Sequence, residues 1–326
     1  MPKVLHIGPC ETPGGMANVM RILAEHPPEG WEADLLSSHV AGSPWAKWRA
    51  YRRARQILIQ MLKDPAQRPD VVHLHTAADW SWWRKRRFAM IAHVAGCKIV
   101  VHIHSGKFDR YIGNAQSHKS KLIRRMFMKE NIHAVVLSES WKNKLLPLIG
   151  PTHAISNPVD PSIKCGSKER DAFHILLLGR DDPVKGHSFA REVVAKLRVS
   201  IPSIKLTLTG LTTAYEQWVD ARGWVDNATK QDLLHRASIL IVPSAYEGQP
   251  LVILEALASG LQVCSSDALE ETLPTVRTAP FEDLDSWIAT LKDMLENPIA
   301  VEQILQASEP YEVGTVSRQW GLIYTS

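Results

Sequence analysis

The sequence predicts an α/β fold of two Rossmann-like, doubly wound domains, each built on a parallel sheet. Short apolar runs alternate with helical patterns along the whole chain, and the alternation is interrupted once, near residue 157. Strands that alternate with helices of such length form βαβ units, which make parallel sheets. The 326 residues also suffice for two domains, at roughly 150 residues each.

The first domain is predicted to span residues 1–158, with five buried strands and five helices. The strands are expected at Val4–Pro9, Ala33–Ser37, Val71–His75, Ile99–His104 and Ala134–Leu137. Helical patterns lie near residues 15–25, 45–62, 82–94, 118–130 and 139–148. A linker is expected at Asn157–Lys168, which contains two prolines and a glycine.

The second domain is predicted to span residues 159–309, followed by a last helix within 310–326. Its strands are expected at Ile175–Leu178, Leu206–Thr209 and Ile239–Val242. Its helical patterns lie near residues 187–199, 229–237, 252–259 and 284–296. Ligands bind beyond the carboxyl ends of such strands, so we expect two sheets that face each other across an interdomain cleft, a common place for small-molecule sites.

Composition narrows the class of protein. The net charge of +4 hides a split, with +12 on residues 1–158 and −8 on residues 159–326. A basic half indicates an anionic partner. No apolar run reaches the ~18 residues of a membrane-spanning helix, and the first residues lack the apolar core of a secretory signal. Four separated cysteines fit a reducing compartment, so we expect a cytoplasmic protein.

Two glycines open the first helix after the first strand. Gly14 and Gly15 follow a short loop, and glycines let a backbone approach a ligand while a helix N-terminus offers free amides. The pair therefore indicates an anion cradle, with a simple tight turn as the alternative. It is neither a dinucleotide-binding motif nor a phosphate loop.

Two cations follow the strand predicted at Ile175–Leu178. Arg180 and Lys185 stand on a loop that also contains Gly179 and Pro183. Arg makes bidentate hydrogen bonds to phosphate and Lys adds a mobile charge, so the pair suits a diphosphate. Two solvated loop charges are the alternative, and the neighbouring Asp181 and Asp182 are expected to be solvated.

The most specific segment runs from Val242 to Gly260. After the strand, Pro243-Ser244 leads into a loop that carries Glu247 and Gly248, and Glu255 lies one turn into the next helix. Carboxylates at such positions accept hydrogen bonds from sugar hydroxyls, and the free amides at the helix start can bind phosphate. The residues expected at this helix start are Gln249, Pro250, Leu251 and Val252. Of these, the proline has no N–H to donate.

Taken together, these motifs resemble family 4 glycosyltransferases of the GT-B fold, with bacterial polysaccharide-assembly members the most similar. The resemblance covers nearly the whole chain. Besides the segments above, it rests on His102–Gly106, Ser138–Lys142, Ile155–Asp160, Gly223–Val225 and the helix from Trp320 to Tyr324. It implies that the last helix crosses back to the N-terminal domain.

The resemblance also implies retaining transfer of a sugar from a nucleotide-sugar. It gives Arg180 and Lys185 to the donor diphosphate and Glu255 to the ribose. Glu247 and the amides after it would bind the transferred sugar, and the backbone of Trp224 and Val225 would meet the base. Gly14 and Gly15 would reach the diphosphate from the N-terminal domain, and His104 would lie near the reacting sugar. The expected catalytic residues are His104, Arg180, Lys185 and Glu247. The residues expected on the acceptor side are His104, Ser105, Gly106, Lys107 and Phe108.

No metal or cofactor is expected. Enzymes that resemble this chain act without a metal, and the sequence has no Asp-x-Asp on a suitable loop. His73, His75 and His102 alternate on strands and invite a metal interpretation, but no further ligand set completes it. We therefore expect these three histidines to line the cleft.

Two basic segments rich in tryptophan suit an anionic membrane surface, although a core stripe with solvated arginines is the alternative. The expected contacts are Trp45, Trp48, Trp82, Trp83, Arg84, Lys85, Arg86 and Arg87. Nucleic acid is excluded as a partner because none of its binding motifs is present.

The predicted function is a retaining, metal-independent hexosyltransferase, cytoplasmic and attached peripherally to the inner face of the membrane. The donor is expected to be a UDP-sugar, with GDP- and ADP-sugars open, and the acceptor a lipid-linked or polysaccharide hydroxyl. The alternatives are a non-transferring, epimerase-like enzyme of the same fold and a silent nucleotide-sugar-binding protein.

Overall fold

A computed structural model describes residues 1–166, 169–269 and 273–326. The last residues of the expected linker, Ser167 and Lys168, lie outside this range. The chain divides into two compact units: residues 1–160 together with 311–326 form unit 1, and residues 161–310 form unit 2. Within the described ranges, no helix is both long and apolar enough to cross a membrane.

Unit 1 contains a six-stranded sheet with strand order β2-β1-β3-β4-β5-β6. The strands are β1 Lys3–Gly8, β2 Glu32–Ser37, β3 Val71–Thr76, β4 Lys98–Ile103, β5 Ile132–Val136 and β6 His153–Ala154. The helices between them are α1 Gly15–Glu25, α2 Pro44–Lys63, α3 Trp80–Val94, α4 Phe108–Ile112, α5 His118–Phe127 and α6 Glu139–Ile149.

Unit 2 contains a second six-stranded sheet, with strand order β12-β11-β10-β7-β8-β9. The strands are β7 His174–Leu177, β8 Lys205–Leu208, β9 Val219–Ala221, β10 Ile239–Val242, β11 Gln262–Ser266 and β12 Val276–Ala279. The helices are α7 His187–Leu197, α8 Asn227–Arg236, α9 Leu251–Ala258, α10 Leu284–Glu296 and α11 Val301–Ser308. The last helix, α12 Val313–Thr325, belongs to unit 1.

The predicted fold class is confirmed. Every strand pair of the described residues is parallel, and the central strands are buried because helices cover both faces of such sheets. β3 and β10 are buried at every position, which explains why their sequences are largely apolar, with His73, His75 and Thr76 as the only polar residues of the two strands.

Each sheet reverses its strand order at one point. In unit 1 the reversal lies between β1 and β3, and in unit 2 it lies between β7 and β10. Ligands of open α/β sheets bind beyond the carboxyl ends of the strands at this switch point. Ligand binding is therefore expected at the loops that follow β7 and β10 in unit 2, and at those that follow β1 and β3 in unit 1.

Candidate functional site

The predicted donor residues of unit 2 lie on the two loops at its switch point. The loop after β7 carries Arg180 and Lys185, and the loop after β10 carries Glu247. The backbone joins the loops directly, because the Ala245 amide donates to the Val184 carbonyl at 3.0 Å. Gly186 has a left-handed φ of 73°, and a Cβ there would lie 2.7 Å from the Pro243 oxygen. Glycine is therefore required for the two loops to pack.

Arg180 presents its guanidinium to solvent, with 69% of its side chain exposed. It pairs with Asp182 at 3.2 Å, and the Asp182 carboxylate also accepts the Val184 amide at 3.1 Å. The expectation that Asp182 is merely solvated is wrong, because this side chain caps the short 3-10 turn Pro183–Lys185. Because most of the Arg180 side chain is exposed, its guanidinium can move from Asp182 onto a bound anion.

Lys185 and Glu247 form a half-buried ion pair between the two loops. Their side chains keep about a fifth of their area exposed, at 22% and 20%. The ammonium is therefore held at the site by a carboxylate before any anion arrives, and both groups remain reachable from solvent.

The second predicted carboxylate, Glu255, is buried inside unit 2 with 3% exposure. It lies in α9, whose first residues follow Pro250 without a side-chain cap. Lys230 of α8 donates to Glu255 Oε1 at 2.6 Å. The sequence analysis missed Lys230, and the signal that points to it is a carboxylate on a buried helix, which needs a cation nearby.

The predicted base-binding backbone lies at a turn after β9. The Gly210 amide donates to the Gly223 carbonyl at 2.7 Å, and the Gly223 amide donates to Leu211 at 2.6 Å. Trp224 follows with 70% of its area exposed, so its indole is free to move against a planar ligand. Gly210 has a φ of +91° and lies so close to the Gly179 carbonyl that no Cβ fits, which links this turn to the cation loop.

Gly14 and Gly15 lie at the start of α1, beyond the carboxyl end of β1 in unit 1. Gly14 has φ 146° and no side chain caps the helix. Nothing lies within 4 Å of the position where a Gly14 Cβ would stand. Gly14 and Gly15 are both exposed, so solvent reaches the backbone at the start of α1, as the expected anion cradle requires.

His104 follows β4 in unit 1 and is half-buried. Its amide donates to the Thr76 carbonyl at 2.8 Å, and its Nε2 lies 3.0 Å from His75 Nδ1. Burial lowers the pKa of His104 to about 3, so the imidazole is neutral near pH 7. Ser105 accepts the Lys107 amide at 3.2 Å, which shapes the turn that also includes the half-buried Gly106.

His73, His75 and His102 do not line a cleft, contrary to expectation. All three are fully buried, and desolvation lowers the pKa of each well below the usual 6.5. His73 Nδ1 lies 2.7 Å from the Tyr324 hydroxyl of α12. The last helix of the chain thus packs directly over these imidazoles.

Several predicted surface residues are instead part of the core of unit 1. Phe108 is fully buried and stacks edge-on against Trp82, so its side chain cannot contact an acceptor. Trp82 and Lys85 are 1% exposed. Of the other predicted contacts in this segment, Trp83, Arg84 and Arg86 are half-buried and Arg87 is exposed. Trp82 and Lys85 therefore cannot contact a membrane, because α3 turns their side chains toward the sheet.

Two family models together match most of the chain. Residues 13–163 match the family model Glycosyltransferase Family 4, and residues 172–297 match Glycosyl transferases group 1. A glycogen synthase of Mycobacterium tuberculosis is 26% identical over 291 residues, covering 81% of this chain and 69% of the relative.

Solved structures agree in fold. Sucrose-phosphate synthase of Thermosynechococcus elongatus superposes with a TM-score of 0.72 at 15% identity, covering 100% of this chain and 98% of that one. The catalytic domain of starch synthase IV of Arabidopsis thaliana, bound to ADP and acarbose, gives a TM-score of 0.71 at 13% identity, with 99% of each chain covered. The chain therefore consists of a Glycosyltransferase Family 4 region followed by a Glycosyl transferases group 1 region, and it has the GT-B glycosyltransferase fold.

Proposed function

We propose that the chain is a retaining glycosyltransferase that moves a hexose or N-acetylhexosamine from a nucleotide-sugar to the hydroxyl of a lipid-linked or saccharide acceptor. The observation that carries the proposal is the cluster at the switch point of unit 2. There Arg180, Lys185 and Glu247 stand on two joined loops, beside the uncapped start of α9.

This cluster suits the chemistry of the leaving group. Breaking the bond between sugar and phosphate leaves negative charge on the diphosphate. Arg180 is free to close on that charge, and Lys185 is already held in place by Glu247. Fixed cations and amides at the leaving group stabilise the transition state, commonly by about 3 kcal/mol for one key donor. Glu247 and the amides of α9 then hold the sugar.

The nucleoside would be held by Glu255 and the turn at Trp224. Glu255 is buried and accepts a hydrogen bond from Lys230, so its carboxylate is held in a fixed position and suits hydrogen bonding to the ribose hydroxyls. A UDP-sugar is our first choice of donor, on the strength of the family resemblance. The ADP bound to the starch synthase makes an ADP-sugar the competitor.

Unit 1 would bind the acceptor, with Gly15 near the diphosphate and His104 near the reacting sugar. His104 is neutral and therefore suits hydrogen bonding to a sugar hydroxyl. We propose front-face attack by the acceptor hydroxyl, in which the departing phosphate takes the proton. This scheme needs no metal and no cofactor.

The acceptor would be reached at an anionic membrane surface through α2. Trp45 and Trp48 are 61% and 43% exposed and stack on each other at 4.6 Å. The Arg52 guanidinium lies 4.8 Å from the Trp48 ring. Exposed indoles beside arginines suit the interface of anionic lipids, and the protein would be cytoplasmic and peripheral.

A donor screen tests the proposal. Purified chain is heated with UDP, GDP and ADP and with their glucose and N-acetylglucosamine conjugates, because a ligand that binds only the folded state raises its stability. We expect selective stabilisation by one nucleotide series. Transfer from that donor to a simple acceptor should give, by NMR, a product with the anomeric configuration of the donor. Inversion would refute the retaining mechanism, and epimerised donor without transfer would favour an epimerase-like enzyme.

A further inference from the structure

Five histidines meet inside unit 1, on three neighbouring strands and the turn after β4. They are His6 of β1, His73 and His75 of β3, His102 of β4 and His104. Four are fully buried and His104 is half-buried. A neutral imidazole carries one N–H and one lone pair, and the lone pair can bind a ligand.

His102 has a nitrogen that its surroundings leave unsatisfied. Its Nδ1 lies 3.3 Å from His73 Nε2, and His73 Nδ1 lies 2.7 Å from the Tyr324 hydroxyl. When the His102 Nδ1–H donates to His73 and the His73 Nδ1–H donates to Tyr324, the Nε2 of His102 carries a lone pair and no proton. This Nε2 is buried and has no hydrogen-bond partner among the described residues. Such an atom in a native interior needs an explanation, and an ion is one.

His75 and His104 present two more nitrogens beside it. His75 Nδ1 and His104 Nε2 are 3.0 Å apart. His75, His102 and His104 each offer one ligand nitrogen, and these three nitrogens lie within 4.8 Å of one another. Three nitrogens bound to one Zn²⁺ at about 2.1 Å lie about 3.4 Å from each other, so small ring rotations bring the three into ligating positions.

We propose that His75, His102 and His104 form a binding site for a late first-row divalent metal ion of the Zn²⁺ class. Neutral imidazoles suit Zn²⁺, Cu²⁺ and Ni²⁺, and three histidines with an open fourth position form a known type of zinc site.

The outer contacts support this choice of ligands. His102 Nδ1 lies 3.3 Å from His73 Nε2, and His75 Nε2 lies 3.0 Å from His6 Nδ1. Metal-bound histidines typically donate their other N–H to such partners. A second triplet, His6, His73 and His75, is compact enough for an ion, but all three of its rings are fully buried. His104, half-buried, gives an ion a way in.

The site has a functional consequence, which rests on the proposed function. An ion bound to His104 takes the nitrogen that would contact the reacting sugar. Zn²⁺ should therefore inhibit transfer, with chelator restoring it. Metal binding itself does not depend on that proposal and is measured separately.

Titration calorimetry of the full chain with ZnCl₂, after removal of metal by chelator, tests the proposal. We expect one equivalent of Zn²⁺ per chain, and tetrahedral Co²⁺ bands in the visible spectrum. His102→Gln and His104→Gln should each weaken binding by at least about 100-fold, and His73→Phe by about 10–100-fold. His133→Gln, whose ring lies beside His153 outside the cluster, is the matched control and should bind as the unmodified chain does.

Two results would overturn the site: no zinc uptake by the unmodified chain, or unchanged uptake in both glutamine variants. His104→Gln covers the case in which His102→Gln fails to fold, because His104 is the ligand that solvent reaches. If zinc binds as expected while no donor supports transfer, the metal site stands and the proposed function fails. If transfer occurs and bound zinc leaves it unaffected, the role of His104 in transfer fails.

Discussion

At the scale of single residues, Glu255 is held in place by Lys230. The carboxylate is 3% exposed and its cationic partner lies 2.6 Å away. A buried carboxylate without a partner is costly, so the pair is a structural unit as well as part of the donor site. The two roles are separated by substitutions that change one of them at a time.

We expect Glu255→Gln to raise the KM for the nucleotide-sugar about tenfold or more, with kcat changed much less. The amide keeps the shape but loses the charge that strengthens hydrogen bonds to ribose. Steady-state kinetics with varied donor measures the effect. Lys230→Met should instead lower the free energy of unfolding by about 1–3 kcal/mol. A normal donor KM in Glu255→Gln would contradict the ribose assignment.

Lys85 is a buried lysine in the core of unit 1. Its ammonium donates to Ser38 Oγ at 2.8 Å, and burial lowers its pKa from 10.5 to about 7. Below pH 7 both folded and unfolded chains are protonated there, so burial costs its full penalty. Between about pH 7 and 10.5 the unfolded chain binds more protons, and the stability of the fold rises with pH.

Lys85→Met should therefore stabilise the protein by about 2–4 kcal/mol at pH 6, with a gain that shrinks toward pH 10. Urea unfolding at pH 6, 8 and 10 measures the difference from the unmodified chain. Lys121→Met, at an exposed position, is the control and should change little. A gain that does not vary with pH would show that Lys85 does not titrate in this window.

Single residues also show what the sequence could and could not predict. Arg180, Lys185, Glu247 and Glu255 are predicted as donor residues because they belong to motifs at strand ends and at the start of a helix. Lys230 is not predicted, because its role arises only when the fold brings it within hydrogen-bond distance of Glu255. Lys85 was placed on the surface by its charge, although it follows Trp82 by three residues and so shares the buried stripe of α3.

At the scale of elements, strands with apolar sequences were predictable, and strands with several polar residues were not. β3, β4 and β10 are apolar runs and were placed within a residue or two. β11 was missed because buried Gln262, Ser265 and Ser266 break its pattern. β9 and β12 lie at or near a sheet edge and carry exposed residues, so their sequences resemble loops.

The helix α12 should contribute strongly to the stability of unit 1. Trp320 is 1% exposed and its ring lies 4.5 Å from that of His73. Trp320→Ala should lower the free energy of unfolding by about 3–5 kcal/mol, as measured by denaturant unfolding. Leu322→Ala, on the same helix at 71% exposure, should stay within about 0.5 kcal/mol. Equal effects of the two variants would contradict the packing of this helix.

The exposed start of α2 carries the membrane proposal. Trp45→Ser together with Trp48→Ser should abolish most flotation with vesicles that contain anionic lipid, while α2 keeps its buried Ala54 and Leu58. Binding by the unmodified chain should fall as salt rises, because the arginines contribute charge attraction. Trp224→Ser, an exposed tryptophan of unit 2, is the control. Flotation that neither salt nor the double substitution weakens would exclude this surface.

At the scale of the whole molecule, the split of charge acquires a structural meaning. The basic residues 1–158 fall within unit 1 and the acidic region includes unit 2, which separates after Asp160. Unit 2 is acidic overall and still carries the cations of the donor site, so net charge does not identify its ligand.

The alternation of strands and helices predicted the fold class, since each βαβ unit has its own local signal.

The central claim is that the switch point of unit 2 binds the diphosphate of a nucleotide-sugar. Titration calorimetry with UDP, and with GDP and ADP in parallel, measures nucleotide binding directly. The proteins compared are the unmodified chain, Arg180→Ala and Lys185→Ala. The control is Arg277→Ala, which removes an exposed cation of β12. We predict that one nucleotide binds and that each of the first two substitutions weakens it at least about tenfold, or 1.4 kcal/mol, while the control does not. The claim is contradicted if none of the three nucleotides binds, or if Arg180→Ala and Lys185→Ala bind as tightly as the unmodified chain.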